Sequence, residues 1–365
     1  MLTFRHLPFL PIDLPPRQVR ETVFAINSVY KACAIAEAIR SDRRFWRETK
    51  ADGSLVTAAD FVIQLFLTRR LAQVFPGDVL VSEEDGQTLR SLSHSASRNV
   101  ADAVRRFTPK VDPRFFLDWI HAGRHPPTSR YWGSDPIDVT SQFVRGGQYS
   151  TSLFLVEDGV VTIGVMGCPN LKLHCSPEKN RGELLVAVAG YGAWCCGLKE
   201  DDQFHRLHVS ERDRLQDAVW ARPLRDVSAR QRSSYTVGDH ELVTSCQKTF
   251  GSRTDDFIRE SNPVRYARVA AGEADFLMNF RLSHLASGFY VHDHAPGMLL
   301  VTEAGGKGTD LWNRPANFRA PPTMRGNYGL FVSNGTPLHD EGLELFSQVA
   351  RQVFSSKQLT ALRAI

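Results

Sequence analysis

The chain has 365 residues, 42% of them apolar and 23% charged, with a formal net charge of +4. That length supports one large or two medium domains with real cores. So mild a charge points away from a nucleic-acid polymer or a membrane surface as partner, yet it would not repel a small anionic substrate. Cys33, Cys168, Cys175, Cys195, Cys196 and Cys246 show no metal-ligand spacing. Reduced thiols in a cytoplasmic protein are therefore expected. No stretch reads as long and apolar enough to span a bilayer. Residues 1–16, with Pro8, Pro11, Pro15 and Pro16, read as an extended surface segment rather than a signal peptide.

From residue 16 to about 40, Val19, Val23, Ile26, Val29, Ala32, Cys33, Ala36 and Ile39 recur at three and four, which predicts a helix. Residues 50–56 read as a polar loop. Thr57 opens a second helix, and Asp60 three residues on makes a capping-box pattern. Residues 79–81 are a short apolar strand running into Ser82-Glu83-Glu84. Residues 86–130 are irregular, with a helical centre marked by Val100, Val104 and Phe107 and an apolar piece at 115–120. Residues 131–194 read as strands and turns, with one hairpin at Gly159 and another over 182–194. The charged link at 199–204 is where a boundary is expected, between an α+β domain at 1–200 and an α/β domain at 201–365. In the second domain 217–222, 234–237, 276–280 and 329–333 read as strands. Residues 241–250, 267–271, 295–303 and 338–353 read as helices.

The centre of interest is Ser134-Asp135-Pro136-Ile137-Asp138-Val139-Thr140. Asp135 and Asp138 read as lying on one proline-held turn. They are either ordinary solvated turn residues or a pair aimed at one place. The second arrangement is costly unless cations occupy that place, because close like charges resist joint ionisation. Oxygen ligands of this kind suit Mg²⁺. Asp60, Glu83-Glu84 and Asp293, within His292-Asp293-His294-Ala295-Pro296-Gly297, also fall at the ends of elements, where side chains can converge. A helix N-terminus beside them would offer amide donors to a phosphate.

In this order the stretches Val56-Thr57-Ala58-Ala59-Asp60, Ser82-Glu83-Glu84, Asp135 to Thr140 and His292 to Gly297 resemble the motifs of the inositol monophosphatase superfamily, lithium-sensitive Mg²⁺-dependent phosphatases. The resemblance spans about 20 to 335. Phe143-Val144-Arg145-Gly146-Gly147-Gln148-Tyr149 and Gly167-Cys168-Pro169-Asn170-Leu171 are most similar to the 3′(2′),5′-bisphosphate nucleotidase branch. The resemblance implies an α/β fold, a layered αβαβα sandwich of the sugar-phosphatase type. It implies that Glu83, Asp135, the Ile137 carbonyl, Asp138 and Asp293 hold two or three Mg²⁺. Asp60 and Thr140 would orient the attacking water. Glu84 would support the ligands from behind. His292 and His294 flank Asp293 and read as packing residues or as supports behind the ligands.

The sequence departs from that pattern in places. Val139 stands where the family has a glycine, Ser141-Gln142 where the branch has Lys-Gly, and Pro296 where the family has alanine. Val139 and Ser141 would lie against substrate. Arg253, Asn262 and Arg265 are the candidates for gripping a second phosphate, since arginine can fork onto phosphate oxygens. The expected activity is hydrolysis of the 3′-phosphate of adenosine 3′,5′-bisphosphate or a related bisphosphorylated small molecule, by a monomer or homodimer. The alternatives are a member redirected to another phosphate or diphosphate of specialised metabolism, or an impaired metal- or phosphate-binding protein.

Overall fold

Pro16 has no N–H to lose and a preset φ, so it starts helix α1 (Pro16–Ser41) at no hydrogen-bonding cost. The computed structural model describes residues 10–42, 45–50, 53–84, 94–107, 129–175, 182–198, 203–223, 237–251, 259–280 and 289–355. Helix α2 (Ala58–Val74) begins as its sequence predicts. Thr57 Oγ1 accepts the Ala59 N–H at 3.1 Å, and the Asp60 carboxylate accepts the Thr57 N–H at 2.7 Å. Helix α3 (His94–Phe107) packs on α2 through Val100 and Val104. The apolar piece at 115–120 lies outside the described residues.

Helices α1 and α2 cover one face of a seven-stranded sheet. Its strands, in spatial and chain order, are β3 (Leu80–Ser82), β4 (Arg130–Asp138), β5 (Ser150–Glu157), β6 (Val160–Cys168), β7 (Glu183–Val188), β8 (Gly192–Gly197) and β9 (His205–Arg206). Only β3–β4 is parallel; the rest of the sheet is antiparallel. Asp158 and Gly159, both at positive φ, close the predicted hairpin between β5 and β6. A second sheet has the order β11-β10-β12-β14-β13, built from β10 (Trp220–Pro223), β11 (Arg259–Glu260), β12 (Phe276–Asn279), β13 (Lys307–Thr309) and β14 (Leu330–Ser333).

Helices α6 (Asn262–Ala270) and α7 (Ala295–Glu303) lie between the two sheets, and α5 (Val237–Phe250) pairs with α8 (Leu338–Val353) on the outer face of the second. The five layers are the αβαβα sandwich that the motifs implied. Helix α7 is apolar on every side, as a helix buried between two layers must be. It sits close to the first sheet: a methyl on Gly164 of β6 would meet the Pro296 backbone at 3.1 Å.

Several sequence readings need correction. Residues 50–56 are not wholly loop, because β1 (Arg47–Thr49) and β2 (Leu55–Thr57) pair antiparallel around them. Val237 begins a helix, not a strand. Helix α1 is, by length and composition, apolar enough to cross a bilayer; one face of it is core, with Phe24, Val29, Ala32 and Ala36 packed on the sheet. Asp135 and Asp138 are not on a turn. Both lie in β4, where the pairing with β5 shifts between them. Pro136 is tolerated at that irregularity because its missing N–H leaves no rung of the ladder open. The polar segment after Thr140 is a short helix, α4 (Thr140–Arg145).

Candidate metal centre

Four segments bring their acids to one place. Asp60 lies in the first turn of α2, Glu83 and Glu84 follow β3, Asp135 and Asp138 end β4, and Asp293 precedes α7. Parallel pairing puts β3 and β4 side by side, with Ser82 opposite Ser134, so the two acid pairs leave the sheet as neighbours. Within each of two groups, Asp135 with Asp138 and Asp293, and Asp60 with Glu83 and Glu84, ligand atoms lie within 4.8 Å of one another.

The backbone beneath them is fixed. Gln64 of α2 donates to the Glu84 carbonyl at 2.7 Å and accepts the Glu84 N–H at 3.1 Å. Ser152 Oγ accepts the Asp135 N–H at 3.2 Å, and Thr151 Oγ1 donates to the Pro136 carbonyl at 2.8 Å. Thr140 Oγ1 lies 3.2 Å from the Ile137 carbonyl and 3.4 Å from Asp60 Oδ1. Val139 caps α4 in the left-handed conformation, φ 64° and ψ 59°. A β-branched residue resists that region, so the glycine-like path is held here against strain.

Burial and crowding act together on these carboxyls. Burial, with Glu83 beside it, pushes Asp60 up to about 7, and the same two causes push Glu84 up to about 8. Asp135 is raised far above the carboxylate range by burial, then by Glu83, Asp138 and Asp293. Asp138 is raised by burial, Asp293 and Glu83, with Arg265 pulling the other way. Asp135 Oδ1 is buried and has no hydrogen-bond partner among the described residues. A buried carboxylate oxygen with no protein donor, ringed by other acids, fits a divalent cation.

Lys50, between β1 and β2, places Nζ 3.2 Å from Glu83 Oε1 and in contact with Glu84. Burial works against its charge, yet Glu83 and Glu84 outweigh that and hold the ammonium above its ordinary value. Sequence spacing gave no sign of Lys50 or of Gln64. His292, expected to pack or to support the ligands, brings a ring nitrogen within 4.8 Å of one Glu83 oxygen and one Asp135 oxygen. Its place beside Asp293 was the available signal. His294 does pack: Nδ1 is 2.9 Å from the Tyr266 hydroxyl, and Phe289 meets it edge to face.

The substrate-side candidates are less closely gathered. Arg265 is buried on α6, with the Ala221 carbonyl 3.4 Å from Nη1 and the Asn262 and Asn279 side-chain oxygens on Nη2. Asn262 thus holds Arg265, whose charge reaches Asp138. Ser141 follows Thr140 in the first turn of α4. Arg253 lies outside the described residues.

Carboxylates drawn from four segments around one unsatisfied oxygen, on an αβαβα sandwich, mark a metal-dependent hydrolase. The chain belongs to the inositol monophosphatase family, whose model matches residues 18–351. Over 353 residues it is 27% identical to a 3′(2′),5′-bisphosphate nucleotidase of Emericella nidulans, covering 91% of this chain and 99% of that one. It is 30% identical over 335 residues to the 3′,5′-bisphosphate nucleotidase AHL of Arabidopsis thaliana, covering 80% of this chain and 86% of that one. An IMPase structure from Thermotoga maritima superimposes with a TM-score of 0.59 at 23% identity, over 90% of this chain and 97% of that one. That last likeness speaks to the fold alone.

Proposed function

We propose that the chain is a Mg²⁺-dependent phosphomonoesterase that removes the 3′-phosphate of adenosine 3′,5′-bisphosphate or a closely related bisphosphorylated small molecule. The observation that carries this reading is the buried Asp135 carboxylate, whose Oδ1 has no donor among the described residues and which has an oxygen within 4.8 Å of ligand atoms of Asp138 and Asp293. The names of the nucleotidase relatives support the substrate class. Glu83, Asp135, the Ile137 carbonyl, Asp138 and Asp293 would hold the cations, which supply charge neutralisation and a more acidic water when bound. Thr140 and Asp60, linked through Oγ1, would orient the attacking water, and Asp60 would take its proton. Glu84 and Gln64 keep the Glu83 segment in place. Val139 and Ser141 would face the substrate phosphate, with Asn262, Arg265 and Arg253 toward the rest of the molecule. Positioning and charge neutralisation suffice for phosphoryl transfer, so no covalent nucleophile is invoked. Cysteine thiols, five of the six buried, suit the reducing cytoplasm.

The test is inorganic phosphate release from adenosine 3′,5′-bisphosphate by purified protein with Mg²⁺. Release that vanishes in Asp135→Asn supports the reading. No release from this compound or related bisphosphates, at any concentration of Mg²⁺ or Mn²⁺, overturns it. A second reading, impaired turnover, rests on Val139. It requires the wild type to be silent and Val139→Gly to be active.

A further inference from the structure

The acids of the centre leave one neighbour unexplained. His292 is 7% exposed, and its ring lies parallel to that of Tyr290, centroids 5.1 Å apart and planes 14° apart. Its Nε2 lies 3.5 Å from Asp293 Oδ1. One of its ring nitrogens, one Glu83 oxygen and one Asp135 oxygen all lie within 4.8 Å of one another. These three donors come from three different segments: the end of β3, the end of β4 and the approach to α7. Asp135 is 2% exposed with Oδ1 unpartnered, and it belongs both to this group and to the all-oxygen group with Asp138 and Asp293.

We propose that His292 is a metal ligand, so that the position shared by Glu83 and Asp135 is a mixed nitrogen and oxygen site that favours Mn²⁺ over Mg²⁺. This rests on the proposed metal-dependent reading and sharpens it. The chemistry follows from the donor set. Mg²⁺ prefers oxygen and keeps its waters, and gains little from an imidazole. First-row transition cations take imidazole readily, and carboxylates alongside it suit Mn²⁺. The position bounded by Asp135, Asp138 and Asp293 offers oxygen alone and stays suited to Mg²⁺. Stacking on Tyr290 restricts the ring of His292 and lowers the entropy lost when it is fixed on a cation. A carboxamide or an aromatic hydrocarbon at 292 would not supply that nitrogen.

The experiment is pulsed electron paramagnetic resonance on the full-length protein with Mn²⁺, read for nitrogen modulation, beside a count of free Mn²⁺ during titration in excess Mg²⁺. The expected result is nitrogen modulation in the wild type, its loss in His292→Phe, and a fall in Mn²⁺ affinity of about tenfold or more in that variant. Mg²⁺ affinity should change far less. Measuring the wild type first means that poor folding of the variant does not rescue or sink the idea. Modulation that persists in folded His292→Phe would place the nitrogen elsewhere, for instance on His294, and overturn the assignment. Mn²⁺ bound without nitrogen modulation in the wild type overturns this inference and leaves the carboxylate reading intact. A protein that binds neither Mn²⁺ nor Mg²⁺ overturns both.

Discussion

Asp135 and Asp310 are both buried aspartates, and the fold treats them in opposite ways. Asp310 Oδ1 accepts from the Trp312 and Arg314 N–H groups at 2.9 and 2.8 Å; its Oδ2 accepts from Arg314 Nε at 2.7 Å and Asn327 Nδ2 at 3.3 Å. Every acceptor direction is met from within the chain. Asp135 has an oxygen that no donor among the described residues meets, and its neighbours carry the same charge. Burial alone therefore does not separate a structural carboxylate from a ligand. Who supplies the donor does.

Paired substitutions should break this contrast most sharply. Asp135→Asn should cut phosphate release by about 10³-fold or more while leaving the cation-free protein as stable as the wild type or more so. Asp310→Ala should do the reverse. It strands four donors and should cost about 3 kcal/mol in urea unfolding, with kinetics changed only in proportion to the folded fraction. If the two variants lose stability equally, the distinction fails.

Acidity should separate the two regions next. His339, buried between Thr309 and Ser333, is lowered to about 4 by burial, with Lys307 adding to the effect. Its folded value lies below its unfolded one of 6.5. The unfolded chain thus binds more protons in that window, and stability is full above pH 6.5 and lost as pH falls toward 4. The loss should be on the order of 3 kcal/mol, visible in melting curves of cation-loaded protein and reduced in His339→Gln.

The acid cage should slope the other way. Asp60 and Glu84, raised to about 7 and 8 from 3.8 and 4.5, hold protons in the folded chain that the unfolded chain has released. Without cations, their contribution is full below about pH 4 and lost as pH rises through 7 to 8. Chelated protein should therefore melt lower at pH 8 than at pH 6, and added Mg²⁺ or Mn²⁺ should erase that difference. Calorimetry in buffers of different ionisation enthalpy should show protons released as the cation binds. A chelated protein that melts higher at pH 8 would contradict the assignment. The smallest effect is expected at Val139→Gly, which relieves left-handed strain but loosens the unfolded chain, for a net gain of no more than about 1 kcal/mol.

Much of the scaffold was legible in the chain itself. The Thr57–Asp60 cap, the apolar stripe of α8 and the all-apolar α7 are local patterns, and local physics decides them. The acids were legible too, because each marks the end of an element. What the chain hid depends on partners far away in sequence. Asp135-Pro136 reads as a turn until β5 supplies the shifted pairing that lets proline sit in a strand. Lys50 and His292 carry no spacing that ties them to Glu83. The β1–β2 hairpin carries Lys50 there, and the docking of α7 carries His292.

Gly164 gives that docking a further meaning. With no side chain there, the strand and the Pro296 turn of α7 come nearly to backbone contact, and Asp293 hangs from the same short turn. The gap between the two halves of the cage is thus gauged by a missing methyl on a strand that supplies no ligand. An alanine at 164 would act as a shim, lifting one jaw of the vice by tenths of an ångström and detuning which ion it grips.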